Sequence, residues 1–310
     1  MHIILIHLGD KKIDHLNDCL KQIFLFNKDI NIYLLAKPKI FKTLKKSYKS
    51  RINYINYKQL ELTEEHKKFK LKNKLDNKFF KGFWLYTTER FFYLENISNK
   101  FKLKDIFHIE NDCMIYFSIK KNIDLFRDKY NIGIVPESNK NSIPVFIYFK
   151  NYQNIKKLTN FFYKNHTKFL NNFRIFRKFF KIKNDMQLLH SFLIENLKKN
   201  KILNLPTTNS HLNLNEKKRL FDYSKNFKNF KAIFDPSYLG LKLDGLDKTF
   251  KGFKKIDKSI FIRPPFYMKN FEIKFFKRKK LKIPFLINKH IKIRIMNLHI
   301  HSKNLKKFIS

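Results

Sequence analysis

The residues of this chain best suited to chemistry sit in Phe107-His108-Ile109-Glu110-Asn111-Asp112-Cys113-Met114-Ile115-Tyr116. Two carboxylates and an amide interrupt an apolar run of β type. Carboxylates disfavour strand interiors and cost free energy when buried unpaired, so something must offset Glu110 and Asp112. A divalent cation holding a diphosphate would do so. A bend that leaves both acids in water is the alternative. In an extended strand side chains alternate faces, so Glu110 and Asp112 are expected to project together and Asn111 away from them.

Other candidates stand elsewhere in the chain. His299 and His301 are two residues apart in the alternating stretch 291–301, with Lys303 just beyond. On a strand both imidazoles face one side; the alternative is a polar strand end with two surface histidines. Asp185 opens a helical pattern, where an N-cap role suits it. Asp235 precedes a stretch holding Gly240, Gly245 and Gly252 in a chain with only six glycines, which marks a loop with special backbone needs. Asp244 and Asp247 suit turns. Arg90 suits either an anion or a surface ion pair, and Trp84 suits the core.

These residues need elements to position them. Residues 2–8, 31–36 and 52–57 read as strands, and 13–26 as an amphipathic helix with Ile13, Leu16, Leu20, Ile23 and Phe24 at helical spacing. That β-α-β order implies a parallel sheet. A lysine-rich stretch, 67–81, suits a solvated loop or short helix. Helices are expected over 83–100, 151–170 and 185–199. Strands are expected at 132–136, 142–149, 201–205 and 291–301, with an amphipathic surface element at 171–183. One domain is expected over 1–310, with an elaborated second half.

Ligands of open α/β sheets bind outside the carboxyl ends of strands. Gly9-Asp10 and Glu110-Asn111-Asp112 fall there. The chain has no G-x-G-x-x-G and no G-x-x-x-x-G-K-[ST], which argues against a dinucleotide dehydrogenase and a P-loop enzyme. A nucleotidyltransferase would want a Gly-Ser phosphate motif near the N-terminus, and none is seen.

The formal net charge is +42. Nucleic-acid binding is one explanation; a composition rich in Lys, Asn, Ile and Phe, as AT-rich codons impose, is another. Dedicated readers favour the bidentate fork of Arg, and Arg is scarce here beside Lys. The charge suits encounter with anionic partners in general. The two cysteines, Cys19 and Cys113, make neither a zinc pattern nor a disulfide framework, which fits a reducing compartment. No secretory signal or membrane span is evident, so a cytoplasmic protein is expected, with peripheral contact to the cytoplasmic membrane face.

The β-α-β opening over 9–36, the stretch Phe83-Trp84-Leu85-Tyr86-Thr87-Thr88-Glu89-Arg90-Phe91-Phe92-Tyr93-Leu94, the Glu110-Asn111-Asp112 exit and the late Asn297-Leu298-His299-Ile300-His301-Ser302-Lys303 together resemble the GT-A fold glycosyltransferases that use nucleotide sugars. Glu110 departs from their D-x-D pattern at its first acid. The resemblance implies an α/β fold: a Rossmann-like, mixed, mostly parallel sheet flanked by helices, with a nucleotide-sugar-binding half at 1–150 and an acceptor-binding half at 151–310. It implies that Asp112 binds Mn2+ or Mg2+ and that Glu110 contacts the metal, its water or the ribose. His299 or His301 would complete the coordination, since imidazole suits Mn2+. Gly9, Asn111 and Arg90 would lie against the nucleotide, and Lys303 would neutralise charge on the diphosphate. Asp185 would be general base for an acceptor hydroxyl if the reaction inverts, and Asp235 would bind acceptor or act as base. The partners implied are a nucleotide sugar and a glycan or lipid-linked acceptor. A nucleic-acid-binding protein without activity is the competing expectation; it would give the acids and histidines no role.

Overall fold

Three apolar runs near the N-terminus form strands β1 (His2–Ile6), β2 (Asn31–Ala36) and β3 (Ile52–Asn56), paired in parallel. The helix Leu16–Phe26 joins the first two and buries Leu16, Cys19, Leu20, Ile23 and Phe24 on one stripe. In this computed structural model the described residues are 1–10, 13–73, 82–168, 184–197, 201–209, 223–246 and 271–310. After β3 the chain crosses to the other side of β1, where β4 (Lys104–Ile109) pairs in parallel with it.

The apolar, acid-interrupted run does not continue as one strand. β4 ends at Ile109, and the Cys113 N–H closes a turn onto the Glu110 carbonyl at 3.0 Å. β5 (Cys113–Ile115) then leaves the main sheet. The expectation of two acids on one strand face is therefore corrected: a turn, not strand alternation, places Glu110 and Asp112.

β6 (Ile132–Pro136), β7 (Ser142–Asn151) and β8 (Ile202–Asn204) complete a seven-stranded sheet of order β3-β2-β1-β4-β7-β6-β8. β7 runs against both of its neighbours, while the other pairings are parallel. The expected mixed, mostly parallel sheet is present. Both faces are covered, as such a sheet requires. Ile3 and Leu5 pack in the cluster with the Leu16–Phe26 helix, and Ile4 packs on the other side with the helices Phe83–Lys100, Tyr152–Lys168 and Asp185–Asn196. The first cluster also takes in Ile295, Leu298 and Phe308, so the two ends of the chain share a core. Trp84 packs half-buried against the second.

A second sheet has the order β10-β11-β12-β9, from β9 (Ala232–Ile233), β10 (Glu272–Arg278), β11 (Leu281–Ile287) and β12 (Lys292–Ile295). The β10–β11 hairpin was not anticipated. It turns at Lys279, whose φ of 57° is a conformation that lysine seldom signals in sequence. The alternating stretch 291–301 is not one strand either. It divides after Ile295, and β13 (Asn297–His299) pairs antiparallel with β5.

The lysine-rich stretch begins in the helix Glu64–Lys72, capped by Thr63 Oγ1 accepting the His66 N–H at 3.4 Å. Its remainder at 74–81, the element expected at 171–183, Asp247 and Gly252 lie outside the described residues. Among those described, no helix is long and apolar enough to cross a membrane. Both cysteines are free and buried, and the Cys19 thiol donates to the Cys113 carbonyl at 3.4 Å.

Glu137, just past β6, is 5% exposed, and its Oε2 has no hydrogen-bond partner. Burial raises its carboxyl from 4.5 to about 7. For an acid raised on folding, the associated stability is complete below the unfolded value and is lost as pH climbs through the folded one. Glu137→Gln is therefore expected to raise the melting temperature more at pH 8 than at pH 5. Equal shifts at both pH values would contradict this account.

Candidate functional site

β1 leads to β2 on one side, while β4 lies on the other. That reversal of strand order falls between β1 and β4, and open α/β sheets hold ligands at the carboxyl ends of the strands at such a point. The turn Glu110-Asn111-Asp112 lies at this point. Asn111 spans it: its Nδ2 donates to His7 Nδ1 at 3.4 Å, and its Oδ1 meets His15 Nε2 at 3.3 Å. Asn111 thus points to the β1 end. Gly9 is there too, and a Cβ on it would come within 3.2 Å of the His7 ring. Asp10 is exposed and paired with Lys37 and Lys39.

Glu110, Asp112 and His299 each offer a ligand atom, all within 4.8 Å of one another. His299 Nε2 lies 3.2 Å from Asp112 Oδ2 and 3.6 Å from Glu110 Oε2. Its Nδ1 lies 2.5 Å from the Ser237 hydroxyl. That contact fixes the ring and turns Nε2 to the acids, as partners of metal-binding histidines do. Burial lowers the His299 imidazole against the pull of Glu110 and Asp235, favouring the neutral form that ligates. Two carboxylates and one imidazole fit Mn2+ or Mg2+.

The pairing of β5 with β13 is what brings His299 here. It sets His299 opposite Cys113, and the Ile300 N–H donates to the Asp112 carbonyl at 3.0 Å.

Arg90 was expected at a phosphate, at a base or in a surface pair. It does form an ion pair, but a buried one: Nη1 donates to Glu110, and Nη2 donates to Asp185 Oδ2 at 2.6 Å. Its neighbour Glu89 turns away to His66 and Lys70. Burial opposes ionisation of Glu110, but Arg90 and His299 outweigh it and hold the carboxyl at about 2. At Asp185 burial prevails over Arg90 and the carboxyl is raised. Asp185 is not the helix cap. Asn184 is, its side chain accepting the Gln187 N–H at 3.0 Å.

Asp235 has a structural role in place of the expected base or acceptor contact. Its carboxylate accepts the N–H groups of Leu239 at 2.8 Å, Gly240 at 3.0 Å and His299 at 2.8 Å, and it is 0% exposed. It braces the start of the helix Tyr238–Asp244 against β13. His301 lies beside His299, with ring centroids 4.1 Å apart. Its Nε2 donates to the Ser237 carbonyl at 3.0 Å, so it supports the ring and stands outside the ligand cluster. Lys303 pairs with Asp112 Oδ2, and burial lowers its ammonium to about 8 against the pull of Glu110. Asp244 is more than a turn former: it accepts from Ser302 and Lys307.

Ser237 was missed by sequence reasoning. A serine after Asp-Pro reads as an ordinary turn, and its φ of 74° is visible only in the fold. The glycine enrichment marks a close approach and a helix end where a loop was expected: Gly240 lies inside the helix Tyr238–Asp244 and Gly245 caps it with φ 68°. A Cβ on Gly240 would stand 1.9 Å from the His299 carbonyl oxygen.

No protein-family model matches the chain, and no curated protein matches it. It is similar to solved structures of mouse xyloside xylosyltransferase 1 in its apo form, with a TM-score of 0.47 and 10% identity over 66% of this chain and 84% of that one. It is also similar to the galactosyltransferase LgtC in complex with donor and acceptor sugar analogues, with a TM-score of 0.41 and 10% identity over 66% of this chain and 73% of that one. PaToxG glycosyltransferase is a third, with a TM-score of 0.38 and 14% identity over 64% of this chain and 70% of that one. Likeness at this level assigns no activity, so an activity has to rest on the residues of the site.

Two substitutions test the architecture. Arg90→Met leaves two buried carboxylates without their partner and is expected to cost about 3–5 kcal/mol in urea unfolding at pH 7; a loss under about 1 kcal/mol would contradict the fork. Gly240→Ala is expected to destabilise by about 1–3 kcal/mol or more, because backbone must move. Unchanged stability in Gly240→Ala would mean that β13 and its helix are not so closely apposed.

Proposed function

We propose that this chain is a glycosyltransferase that moves a sugar from a nucleotide-sugar donor with the help of a divalent cation. The observation that carries this reading is the meeting of Glu110, Asp112 and His299 at the sheet's switch point, flanked by Arg90 and Lys303. Those three residues would hold Mn2+ or Mg2+, which when bound neutralises charge on a leaving diphosphate.

The remaining work falls to the chain's own groups. Lys303, paired with Asp112, would add positive charge beside the phosphates. Arg90 keeps Glu110 ionised and oriented, and ties Asp185 to the same centre. Asp185 is the buried acid we assign to the acceptor side. Asp235 receives no chemical step, because three backbone N–H groups engage its carboxylate. Asn111 and Gly9 border the space for the nucleoside. The net charge of +42 suits encounter with a nucleotide diphosphate and with an anionic membrane surface carrying a lipid-linked or glycan acceptor. Nucleic-acid binding would leave the cluster without a role.

Thermal stabilisation by UDP, GDP or CDP is expected to require Mn2+, and the responding base identifies the donor. Asp112→Ala should keep the native circular-dichroism spectrum yet lose both that response and sugar transfer. Metal-dependent stabilisation persisting at wild-type level in Asp112→Ala would overturn the proposal.

A further inference from the structure

The cluster that fits a divalent cation already holds a cation of its own. Lys303 Nζ pairs with Asp112 Oδ2, the same oxygen that lies 3.2 Å from His299 Nε2. A divalent ion on that oxygen and an ammonium beside it repel each other at short range. Each therefore weakens the other's hold on Asp112.

The two sides of the pair differ in freedom. The Asp112 side chain is 6% exposed and the Lys303 side chain 31% exposed. Lysine carries a compact charge on a flexible stem, so Lys303 is the partner able to swing away. Lys303 sits in a turn where its N–H bonds to the Ile300 carbonyl at 3.1 Å. Arg90, the other cation of the centre, cannot play this part, because it is buried and forked between Glu110 and Asp185.

We propose that Lys303 competes with the divalent cation for Asp112 and that a nucleotide diphosphate, by drawing the ammonium to itself, releases the site to the cation. The second half rests on the donor reading proposed above; the first does not. Cation and diphosphate would then bind cooperatively, each raising the affinity of the other by the same factor. The free protein would hold its acids paired and its metal weakly.

Free Mn2+ measured by electron paramagnetic resonance tests both halves, in wild type and in Lys303→Met, with and without UDP, GDP or CDP. Lys303→Gln serves as a second variant should methionine disturb folding. Lys303→Met is expected to bind Mn2+ alone on the order of tenfold more tightly than wild type, and the nucleotide's enhancement of Mn2+ binding should shrink by about the same factor, leaving the part that the phosphates' own hold on the cation supplies. Equal or weaker Mn2+ binding by both variants overturns the competition. A gain in Mn2+ affinity with no nucleotide response in either protein upholds the competition and overturns both the release and the donor reading.

Discussion

Carboxylates held close together and away from water set the terms for this structure. Asp112 lies beside Glu110, Glu110 and Asp185 share Arg90, and each carboxylate loses hydration that a protein must replace. Arg90 answers two of them with a single guanidinium, whose planar fork suits two carboxylates better than a lysine would. Lys303 and His299 answer the third. The helix Phe83–Lys100 must lie where Arg90 can reach both the exit of β4 and the start of the helix Asp185–Asn196. Removing Arg90 leaves Glu110 and Asp185 uncompensated, so the three elements are bound to one another through the site itself.

The second dependency is a strand exchange. After the turn at Glu110–Asp112 the chain leaves the main sheet and finds β13, whose residues lie 184 positions away at the Asn297–Cys113 contact. This pairing brings His299 to the acids. It is reinforced from behind: Asp235 holds the His299 N–H, Ser237 holds its ring, and Gly240 lets the helix Tyr238–Asp244 press against its carbonyl. The C-terminal region thus serves largely to present one imidazole and one ammonium to the acids at the edge of the main sheet. A centre built this way combines a rigid part, Arg90 with its two acids, and a labile part, Lys303 over Asp112. Such a division suits a site that must keep its ligands in place and still admit a cation.

Much of the site could be read from residue types. The acids at 110 and 112 stood out because they broke an apolar run, and the late histidines and Lys303 because they closed an alternating one. The opening β-α-β unit and the helix Phe83–Lys100 were legible too, since apolar periodicity is local information. The helix over 185–196 was found as well, though its cap was placed one residue late. Distinctions among like residues were not legible. Asp185 and Asp235 look alike as loop or helix-start acids, yet one faces Arg90 and the other three backbone N–H groups. His299 and His301 differ only in what lies opposite each ring.

The sequence alone determined which segments could be strands and helices, and which residue types were present to bind a cation and an anion, because those follow from local pattern and side-chain chemistry. Tertiary structure alone decided that the acid run would turn and change sheets, that β13 would pair with β5, and that Arg90 would span two carboxylates. The physical reason is range. Strand register, burial and charge compensation join residues such as 90 with 185 and 112 with 299, and no local preference encodes which distant partner offsets a buried charge.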